Sequence, residues 1–323
     1  MKKALVLGGC GFIGQHLVER LWQEGYDVTV VDRYSPEFPI SDRHLDFRAF
    51  DLAGNSLPKW WFFNADEVYQ LAAEVGGLGF IHNHDNDVLF LDSNARINMN
   101  VLRACGDNPN TKIFFASSAC VYPSLDNCHE RDAYPAQCDN EYAWEKLYSE
   151  RLYMAYAKAT GVKVAIGRLH NTYGPYHCYD GGREKAPAAI CRKVAKAVDE
   201  VEVWGTGKQT RTFMYIDDCI EGIRRLMKSD YSEPVNIGSD EKVSLDVMTT
   251  TVMDIANKDL RIKHVEGEMG VGHRASDNRL IRRVTGWSPS ISLYDGLKKT
   301  YSWVKEQIDG EQLKRSQSTA RRD

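Results

Sequence analysis

Tyr142 and Lys146 lie four residues apart in the segment YAWEK, whose composition is typical of a helix. Positions i and i+4 share one face of a helix, so the ammonium group lies beside the phenol. A neighbouring positive charge favours the phenolate and lowers the phenol pKa. A tyrosine in that state can accept a hydroxyl proton while hydride leaves the same carbon atom. The spacing therefore indicates alcohol oxidation, although it also occurs on helices that perform no chemistry.

A serine and a cysteine lie close together in FFASSACVYP, residues 114–123. The run FFASS predicts a buried strand that ends in small polar residues, with Cys120 on the loop just beyond it. Ser118, at the end of the strand, can hydrogen-bond the oxygen that Tyr142 deprotonates. Free cysteines are usually small buried apolar residues, but a cysteine on a strand-end loop can also be a working thiol. The segment by itself leaves both interpretations of Cys120 open.

The segment GGCGFIG, residues 8–14, predicts a dinucleotide-binding loop. Its glycines permit a tight turn, and the following helix offers free N–H groups to a pyrophosphate. Asp32 ends the next predicted strand, where a carboxylate binds the ribose hydroxyls of NAD and repels the 2′-phosphate of NADP. We therefore predict NAD as cofactor, although Arg33 leaves NADP open. The cofactor-binding residues expected here are Gly8, Gly11, Phe12, Ile13, Gly14 and Asp32.

Apolar strands alternate with amphipathic helical segments from the first residues onward. The predicted strands are ALVLGG, YDVTVVDR, DEVYQLAA, TKIFFASS and VKVAIGRL, and IGQHLVERLWQEG is a predicted helix. Continuous apolar strands separated by helices indicate a parallel sheet that is covered on both faces. We therefore predict an α/β protein, a Rossmann doubly wound parallel sheet with a smaller C-terminal α/β substrate domain.

The chain length also suggests two domains, or one large α/β unit, at roughly 150 residues per domain. Loops become more frequent after residue 170, so we expect the second domain to begin there. The expected boundaries are 1–170 for the NAD-binding domain with a return segment at about 212–238, 171–211 and 239–310 for the nucleotide-sugar-binding domain, and 311–323 for a disordered tail.

Composition argues against several other classes of protein. The net charge is −4 and the basic residues are scattered, which gives no support for nucleic-acid binding. No apolar run approaches the about 18 residues of a membrane helix, and MKKALVLGGC leads into the glycine motif rather than a cleavage site. Eight cysteines without a CxxC pair indicate reduced thiols, so we expect a cytoplasmic protein. HNHD, residues 82–85, lacks a third ligand and predicts no metal site.

Eight segments together resemble the extended short-chain dehydrogenase/reductase family of nucleotide-sugar enzymes, over residues 1 to about 305. These segments are GGCGFIG, Asp51-Leu52, LAA at 71–73, SSACVY, YAWEK, RLHNTYGP, QTRTFMYIDD and NIGS at 236–239. The resemblance implies a tightly bound NAD that is reduced and re-oxidised within one catalytic cycle. It also implies that Asp51 and Leu52 lie near the adenine, and that Leu71, Ala72 and Ala73 lie beside the cofactor.

Within that family, five segments look like the branch that inverts GDP-mannose at C3 and C5. They are AAEVGGLGFIHN, SSACVYP, GGREKAPAAICRK, QTRTF and EPVNIGSDEKVS. The branch implies that Cys120 is a base and Lys185 an acid on opposite faces of the sugar, although Lys185 taken alone resembles a surface lysine. The chain departs from the branch at Glu74, where aspartate is usual, and at His170, where phenylalanine is expected.

The resemblance also implies a GDP-sugar substrate, with Arg211 and Arg274 at its diphosphate. Further substrate-binding residues carried over from the branch are Gly76, Ser118, Cys120, Asn171, Glu184, Lys185, Lys193 and Gln209. Related enzymes pair through the helices that carry LFLDSNARINMNVLRA and YAWEKLYSERLYMAYA, so a homodimer is expected. Other interpretations remain open: a single-carbon or heptose epimerase, a 4,6-dehydratase, or an NAD-binding scaffold without catalytic activity.

Overall fold

The computed structural model describes residues 1–35, 45–54, 56–106, 108, 110–267 and 273–319. Across these residues, seven parallel strands form the main sheet in the order β11-β6-β5-β4-β1-β2-β3. Their bounds are Lys3–Leu7 (β1), Asp27–Asp32 (β2), Asp46–Ala49 (β3), Glu67–Gln70 (β4), Lys112–Ser118 (β5), Lys163–Leu169 (β6) and Val235–Ile237 (β11). The predicted Rossmann-type parallel sheet is therefore confirmed.

Shorter strands form three small sheets beside the main one. Their bounds are Thr172–Tyr173 (β7), Glu200–Trp204 (β8), Thr210–Thr212 (β9), Met214–Tyr215 (β10), Lys242–Ser244 (β12), Arg261–Val265 (β13) and His273–Arg274 (β14). Strand β9 pairs with β12 and β14, β8 pairs with β13, and β7 pairs with β10. The smaller C-terminal α/β part expected from the sequence is thus present.

The helices cover both faces of the main sheet and fill the C-terminal part. Their bounds are Phe12–Gln23 (α1), Lys59–Phe63 (α2), Leu78–Ile81 (α3), Asp87–Leu89 (α4), Ala95–Cys105 (α5), Glu141–Thr160 (α6), Ala186–Lys196 (α7), Ile216–Lys228 (α8), Leu245–Ala256 (α9), Arg279–Thr285 (α10) and Leu293–Thr319 (α11). One wide-turn helical segment, Phe90–Asn94, joins α4 to α5.

Alternate residues of the buried strands point to opposite faces of the sheet, as the two-residue period of a strand requires. On β1, Val6 packs in a core with Leu17 of α1 and Ile220 of α8. Leu5 and Leu7 instead pack in a second core against α5 and α6. Both faces are therefore covered by apolar side chains, which is why these strands are apolar throughout.

The chain after residue 171 leaves the main sheet and returns to it once. Strand β11 pairs with β6 at the edge of the sheet, and α8 packs on the same face as α1. The domain boundaries predicted from the sequence stay a prediction. At the C-terminus, α11 continues to Thr319, within the span 311–323 for which a disordered tail was predicted. Residues 320–323 lie outside the described part of the chain.

Candidate active site

The predicted functional residues gather at one edge of the main sheet. Parallel strands all present their carboxyl ends at the same edge, where loops can meet around a ligand. Here β1 leads into the glycine loop, β2 ends at Asp32, β4 leads to Leu71, and β5 ends at Ser118. Parallel pairing therefore brings together segments that are far apart in the sequence.

The glycine loop packs too closely on its neighbours to accept side chains at two positions. A Cβ atom added at Gly8 would lie 2.7 Å from the Cα of Ala72, and Gly8 also has a φ of +78°. A Cβ atom at Gly14 would lie 2.3 Å from the carbonyl oxygen of Gly8. Helix α1 begins at Phe12 with the exposed Gly11 as its N-cap. The loop thus presents bare backbone and a helix N-terminus, as a pyrophosphate requires.

Asp32 is held at the end of β2 by backbone amides from two directions. Its Oδ2 accepts the N–H of Cys10 at 3.1 Å, and its Oδ1 accepts the N–H of Tyr34 at 3.1 Å. The adjacent Arg33 forms an ion pair with the buried Glu74. A fixed carboxylate beside a glycine loop fits the ribose of NAD.

The remaining predicted cofactor residues line the same edge. Asp51 is exposed just beyond β3, and its Oδ1 accepts the N–H of Ala53 at 3.0 Å. Leu52 is buried beside it, and its carbonyl accepts from Asn100. The half-buried residues 71–73 follow β4, where Ala72 contacts the glycine loop. The residues present therefore fit NAD, which supplies a hydride acceptor and donor when it is bound.

Tyr142 lies at the start of α6, buried against Phe90 and beside the half-buried Phe80. The pKa of its phenol is raised, chiefly by burial, and the nearby Cys120 thiol adds to the rise. A hydrogen bond with the Ser118 side chain opposes it by favouring the phenolate. The sequence predicted a lowered phenol pKa from the lysine charge alone. That direction is wrong for the protein without a bound ligand, because burial and the neighbouring Cys120 thiol outweigh the hydrogen bond with Ser118.

Lys146 lies one turn further along α6, as the i, i+4 spacing predicts. Its side chain is buried. Its Nζ donates to the carbonyl of Ala116 at 3.3 Å and lies 5.6 Å from the centre of the Tyr142 ring. Burial lowers the pKa of Lys146, while the carboxylates of Glu145 and Glu150 oppose the change. Two buried carboxylates on the same helix therefore offset part of the cost of burying the ammonium group beside the phenol.

Cys120 lies in a short helical turn directly after β5. Its N–H donates to the Ser118 hydroxyl at 3.2 Å, and its half-buried side chain packs on the cluster around Phe90 and Tyr142. Its thiol is close enough to Tyr142 to raise the pKa of the phenol. The thiol therefore lies beside Tyr142 and Ser118 rather than in the apolar interior of the sheet.

Lys185 is the half-buried N-cap residue of α7, and its side chain makes no capping hydrogen bond. Burial lowers the pKa of its amine, and the thiols of Cys120 and Cys219 oppose that change. Burial lowers the pKa of His177 to about 4, and the charge of Lys185 adds to that shift. The thiol and the amine therefore lie close enough to interact, although 64 residues separate them in sequence.

The loop after β4 holds the segment before Lys185 against the cofactor side of the site. The N–H of Gly77 donates to the carbonyl of Arg183 at 3.0 Å. The guanidinium of Arg183 lies 4.1 Å from the centre of the Phe80 ring. Gly76 lies in the same loop, where a Cβ atom would meet the Phe80 side chain at 2.8 Å. The loop after β4 thus contacts both the glycine loop and the lysine loop.

Two arginines come together at the far side of the site. Burial lowers the pKa of Arg211 to about 10, and the neighbouring charge of Arg274 adds to that shift. The Nη2 of Arg274 donates to the carbonyl of Tyr122 at 3.2 Å, and its buried Nε has no hydrogen-bond partner within the described residues. Asn171 lies nearby and donates to the carbonyl of Thr212 at 3.2 Å. Adjacent guanidinium groups repel each other, so the pair suits an anion with several oxygens.

Three of the substrate residues implied by the resemblance are bonded within the protein. Glu184 forms a 2.8 Å ion pair with Arg192. Lys193 donates from Nζ to the carbonyl of Glu202 at 2.9 Å. Gln209 donates to the carbonyl of Trp204, and its Oε1 is buried without a partner among the residues described. Their contacts with a substrate stay a prediction.

Sequence reasoning did not identify the buried acids that support the site. Glu145 accepts from Asn98 at 2.9 Å and from Ser149 at 2.6 Å, and its Oε2 has no partner in the described part of the chain. Glu150 forms a buried ion pair with Arg168 at 2.7 Å and accepts from the residue before Ser118. The position of Glu145 inside YAWEK, one residue before the lysine, was the available signal.

Three further sequence predictions concern histidines, metals and membranes. His170 is buried, and its Nε2 lies 3.2 Å from Asn236 Oδ1, so it contributes to packing and hydrogen bonding. Burial lowers its pKa to about 3. The described residues contain no group of three or more His, Cys, Asp or Glu side chains placed to hold a metal ion. None of the helices in those residues has the length and apolar character needed to cross a membrane.

The sequence is similar to known enzymes along nearly its whole length. Residues 4–238 match the NAD dependent epimerase/dehydratase family. GDP-mannose 3,5-epimerase of Arabidopsis thaliana is 42% identical over 97% of this chain and 85% of the plant protein. GDP-mannose 3,5-epimerase 1 of Oryza sativa subsp. japonica is 42% identical over 95% of this chain and 82% of its own. UDP-glucuronic acid decarboxylase 1 of Xenopus tropicalis is 26% identical over 95% and 73%.

Solved structures are similar over the same length. UDP-glucuronic acid 4-epimerase from Bacillus cereus, in complex with NAD, superimposes with a TM-score of 0.81 at 25% identity, covering 95% of this chain and 98% of its own. UDP-glucose 4-epimerase of Thermus thermophilus, also in complex with NAD, gives a TM-score of 0.80 at 23% identity, covering 94% and 99%. The second comparison supports the fold alone.

Proposed function

The chain belongs to the NAD-dependent epimerase/dehydratase family, and we propose that it is a GDP-mannose 3,5-epimerase. It is an NAD-dependent nucleotide-sugar epimerase, and the proposal concerns its sugar and the carbons it inverts. The observation that carries it is the position of Cys120, which packs on the cluster of Phe90 and Tyr142 and lies close enough to Lys185 to influence the pKa of its amine. Similarity to the plant GDP-mannose 3,5-epimerases supports the same assignment.

Inversion at C3 and C5 requires the removal of protons that are bonded to carbon. Those protons are not acidic in the parent sugar. Oxidation of the C4 hydroxyl to a ketone places both carbons next to a carbonyl, so each carbanion is delocalised as an enolate. A bound NAD supplies the reversible hydride acceptor for this step and returns the hydride at the end. The reaction therefore gives an isomer without net oxidation.

In this proposal, Tyr142 removes the proton of the C4 hydroxyl. Ser118 hydrogen-bonds the phenol oxygen and favours the phenolate. The ammonium group of Lys146 lies beside the ring, and its charge adds to that effect as substrate fills the site. Because the pKa of Tyr142 is raised when no ligand is present, the phenol is protonated before the cofactor and the sugar bind.

Each inversion needs one group that removes a proton and another that delivers a proton from the opposite face. We assign the first role to Cys120 and the second to Lys185, which gives GDP-L-galactose, with GDP-L-gulose as a second possible product. A thiolate and an ammonium suit these roles, since each stabilises the charge of the other. Burial lowers the pKa of Lys185, which makes its ammonium a stronger acid than that of an exposed lysine.

A GDP-sugar carries two phosphates, and we assign their binding to Arg211 and Arg274. The two guanidinium groups are close enough to perturb each other, and a diphosphate between them would relieve that repulsion. Asn171 lies between these arginines and the end of β6, where it can contact the sugar or the phosphate. The other substrate residues carried over from the family belong to the same proposal.

We also propose that the protein forms a homodimer through the outer face of α6 and the segment that precedes α5. Four apolar side chains are exposed on this surface: Val88 by 76%, Leu91 by 44%, Trp144 by 42% and Tyr148 by 51%. Large side chains of this kind, grouped on two adjacent helical segments, are typical of a protein interface. A second copy of the chain would bury them.

The test is product analysis by NMR after incubation with GDP-mannose in deuterated water. We expect solvent deuterium at C3 and C5 of the products, and no net formation of NADH. A 4-epimerase would leave both carbons unlabelled, and a screen of UDP- and dTDP-sugars would identify its substrate. Full C3/C5 inversion by Cys120→Ala would contradict the assigned base. If deuterium enters neither carbon of GDP-mannose, the proposed function is wrong.

A further inference from the structure

Arg33 follows Asp32 directly, at the end of β2. An arginine near this position commonly binds the 2′-phosphate of NADP, whereas an acidic residue at the strand end binds the ribose of NAD. The two residues alone therefore give opposite predictions about the cofactor. We propose that Glu74 makes the site selective for NAD over NADP by holding the Arg33 guanidinium in an ion pair, away from any 2′-phosphate.

The ion pair spans the opening of the cofactor loop. Arg33 follows β2 and Glu74 follows β4, and these two strands flank β1, from which the glycine loop emerges. The Arg33 Nη2 contacts the Glu74 Oε1 directly. The guanidinium also lies 4.8 Å from the centre of the Tyr34 ring. The arginine is therefore directed towards the loop after β4.

Glu74 is fixed in position more firmly than a surface acid. Its side chain is only 5% exposed, whereas that of Arg33 is 39% exposed. Its N–H donates to the Oδ1 of the buried Asn94 at 2.7 Å, and Asn94 Nδ2 donates back to its carbonyl at 3.2 Å. The position of the Glu74 carboxylate is therefore fixed by its surroundings, and the more exposed Arg33 side chain extends to meet it.

The balance of charge favours this arrangement strongly. A buried carboxylate without a cationic partner is unfavourable, so the departure of Arg33 would leave Glu74 uncompensated. Asp32 does not depend on Arg33, because backbone amides of Cys10 and Tyr34 hold both of its oxygens. A 2′-phosphate would therefore meet two carboxylates and a neutralised arginine, whereas a ribose hydroxyl needs only the Asp32 oxygens.

The test measures cofactor binding by the wild-type full chain and by three variants of it: Glu74→Gln, Arg33→Met and the double variant. Each purified protein is equilibrated with equal excesses of NAD and NADP, freed of unbound nucleotide and denatured, and the released cofactors are quantified. Titration with NADP alone gives its dissociation constant. We expect Glu74→Gln to raise the bound NADP/NAD ratio about tenfold or more, because one charge-assisted hydrogen bond is worth that much affinity. The double variant should match the wild type, and Arg33→Met should bind NADP no better than the wild type, because it leaves the Glu74 carboxylate unpaired.

Glu221→Gln is the matched control, since this acid also pairs with arginines, Arg20 and Arg225, but lies on α8. It should leave the ratio unchanged. An unchanged ratio in Glu74→Gln, or a rise that persists in the double variant, would overturn the proposal. If Glu74→Gln does not fold, the double variant still decides, because weaker NADP binding there than in the wild type would mean that the native arginine already reaches the phosphate. None of these results depends on which sugar the enzyme converts.

Discussion

Replacing Lys185 with methionine should separate proton removal from inversion. Cys120 and Lys185 are assigned to opposite faces of the sugar. Loss of the Lys185 amine therefore removes proton delivery from one face only. In deuterated water the Cys120 thiol exchanges with solvent and can return deuterium to the face it deprotonated. We therefore expect Lys185→Met to incorporate deuterium into GDP-mannose itself while forming the inverted products very slowly.

The expected magnitude follows from the surroundings of the lysine. Removal of one positioned acid typically slows a reaction about 10²- to 10⁴-fold, or roughly 3–5.5 kcal/mol of activation free energy. The fold should change little, because the Lys185 side chain makes no capping bond at the start of α7. Its side chain forms no ion pair with any other described residue. We expect the free energy of unfolding to change by less than about 1 kcal/mol.

The assay is NMR of both substrate and product pools over time, with thermal unfolding measured in parallel. Lys196→Met is the control, because Lys196 lies on the same helix but is exposed and pairs with Asp180. That variant should behave as the wild type. The assignment is refuted if Lys185→Met forms inverted products at nearly the wild-type rate. It is equally refuted if this variant folds but no longer labels GDP-mannose, because the base would then not be Cys120.

The pH dependence provides a second readout of the same group. Burial lowers the pKa of Lys185 below its ordinary value of 10.5, so the ammonium is lost at a lower pH than in an exposed lysine. Product formation in the wild type should fall as the pH rises through this lowered pKa, since the ammonium form of Lys185 disappears. This alkaline limb should be absent from the residual product formation of Lys185→Met.

Three other predictions test separate parts of the structure. Arg274→Met should raise the KM for the GDP-sugar about tenfold or more with a smaller effect on kcat in steady-state assays, because it removes a phosphate contact; an unchanged KM would exclude that contact. Glu150→Ala should lower the free energy of unfolding in urea by about 3–5 kcal/mol, because it leaves the buried Arg168 without its partner; a loss below about 1 kcal/mol would contradict this. Trp144→Glu should shift the protein to a monomer in sedimentation velocity, and an unchanged sedimentation coefficient would remove this surface from the proposed dimer.

Features that depend on neighbours in the sequence were predicted well. The glycine loop, the strand that ends at Asp32 and the pair Tyr142 and Lys146 follow from spacing of a few residues, because backbone geometry sets their relative positions. The parallel sheet was predicted from a different signal, the alternation of wholly apolar strands with helices along the chain.

Partners that are distant in the sequence were harder to predict. The pair Arg33 and Glu74 joins two loops, and the choice of partner depends on how β2 and β4 flank β1. The Glu145 contact with Asn98 depends likewise on the packing of α6 against α5. For Tyr142 the predicted direction of the pKa change was wrong, because spacing reveals a neighbouring charge but not the extent of burial.

The position of α11 has a consequence for the order in which the site is assembled during synthesis. Leu297, Tyr301 and Val304 of this helix share a core with Ile190 and Val194 of α7, the helix that begins next to Lys185. Nascent domains fold as their chain emerges from the ribosome. The sheet that holds the cofactor residues can form early. The core beneath Lys185, which α7 and α11 share, forms only after the segment beyond residue 293 has been translated. A ribosome-bound intermediate should therefore hold the dinucleotide before it can turn over any sugar.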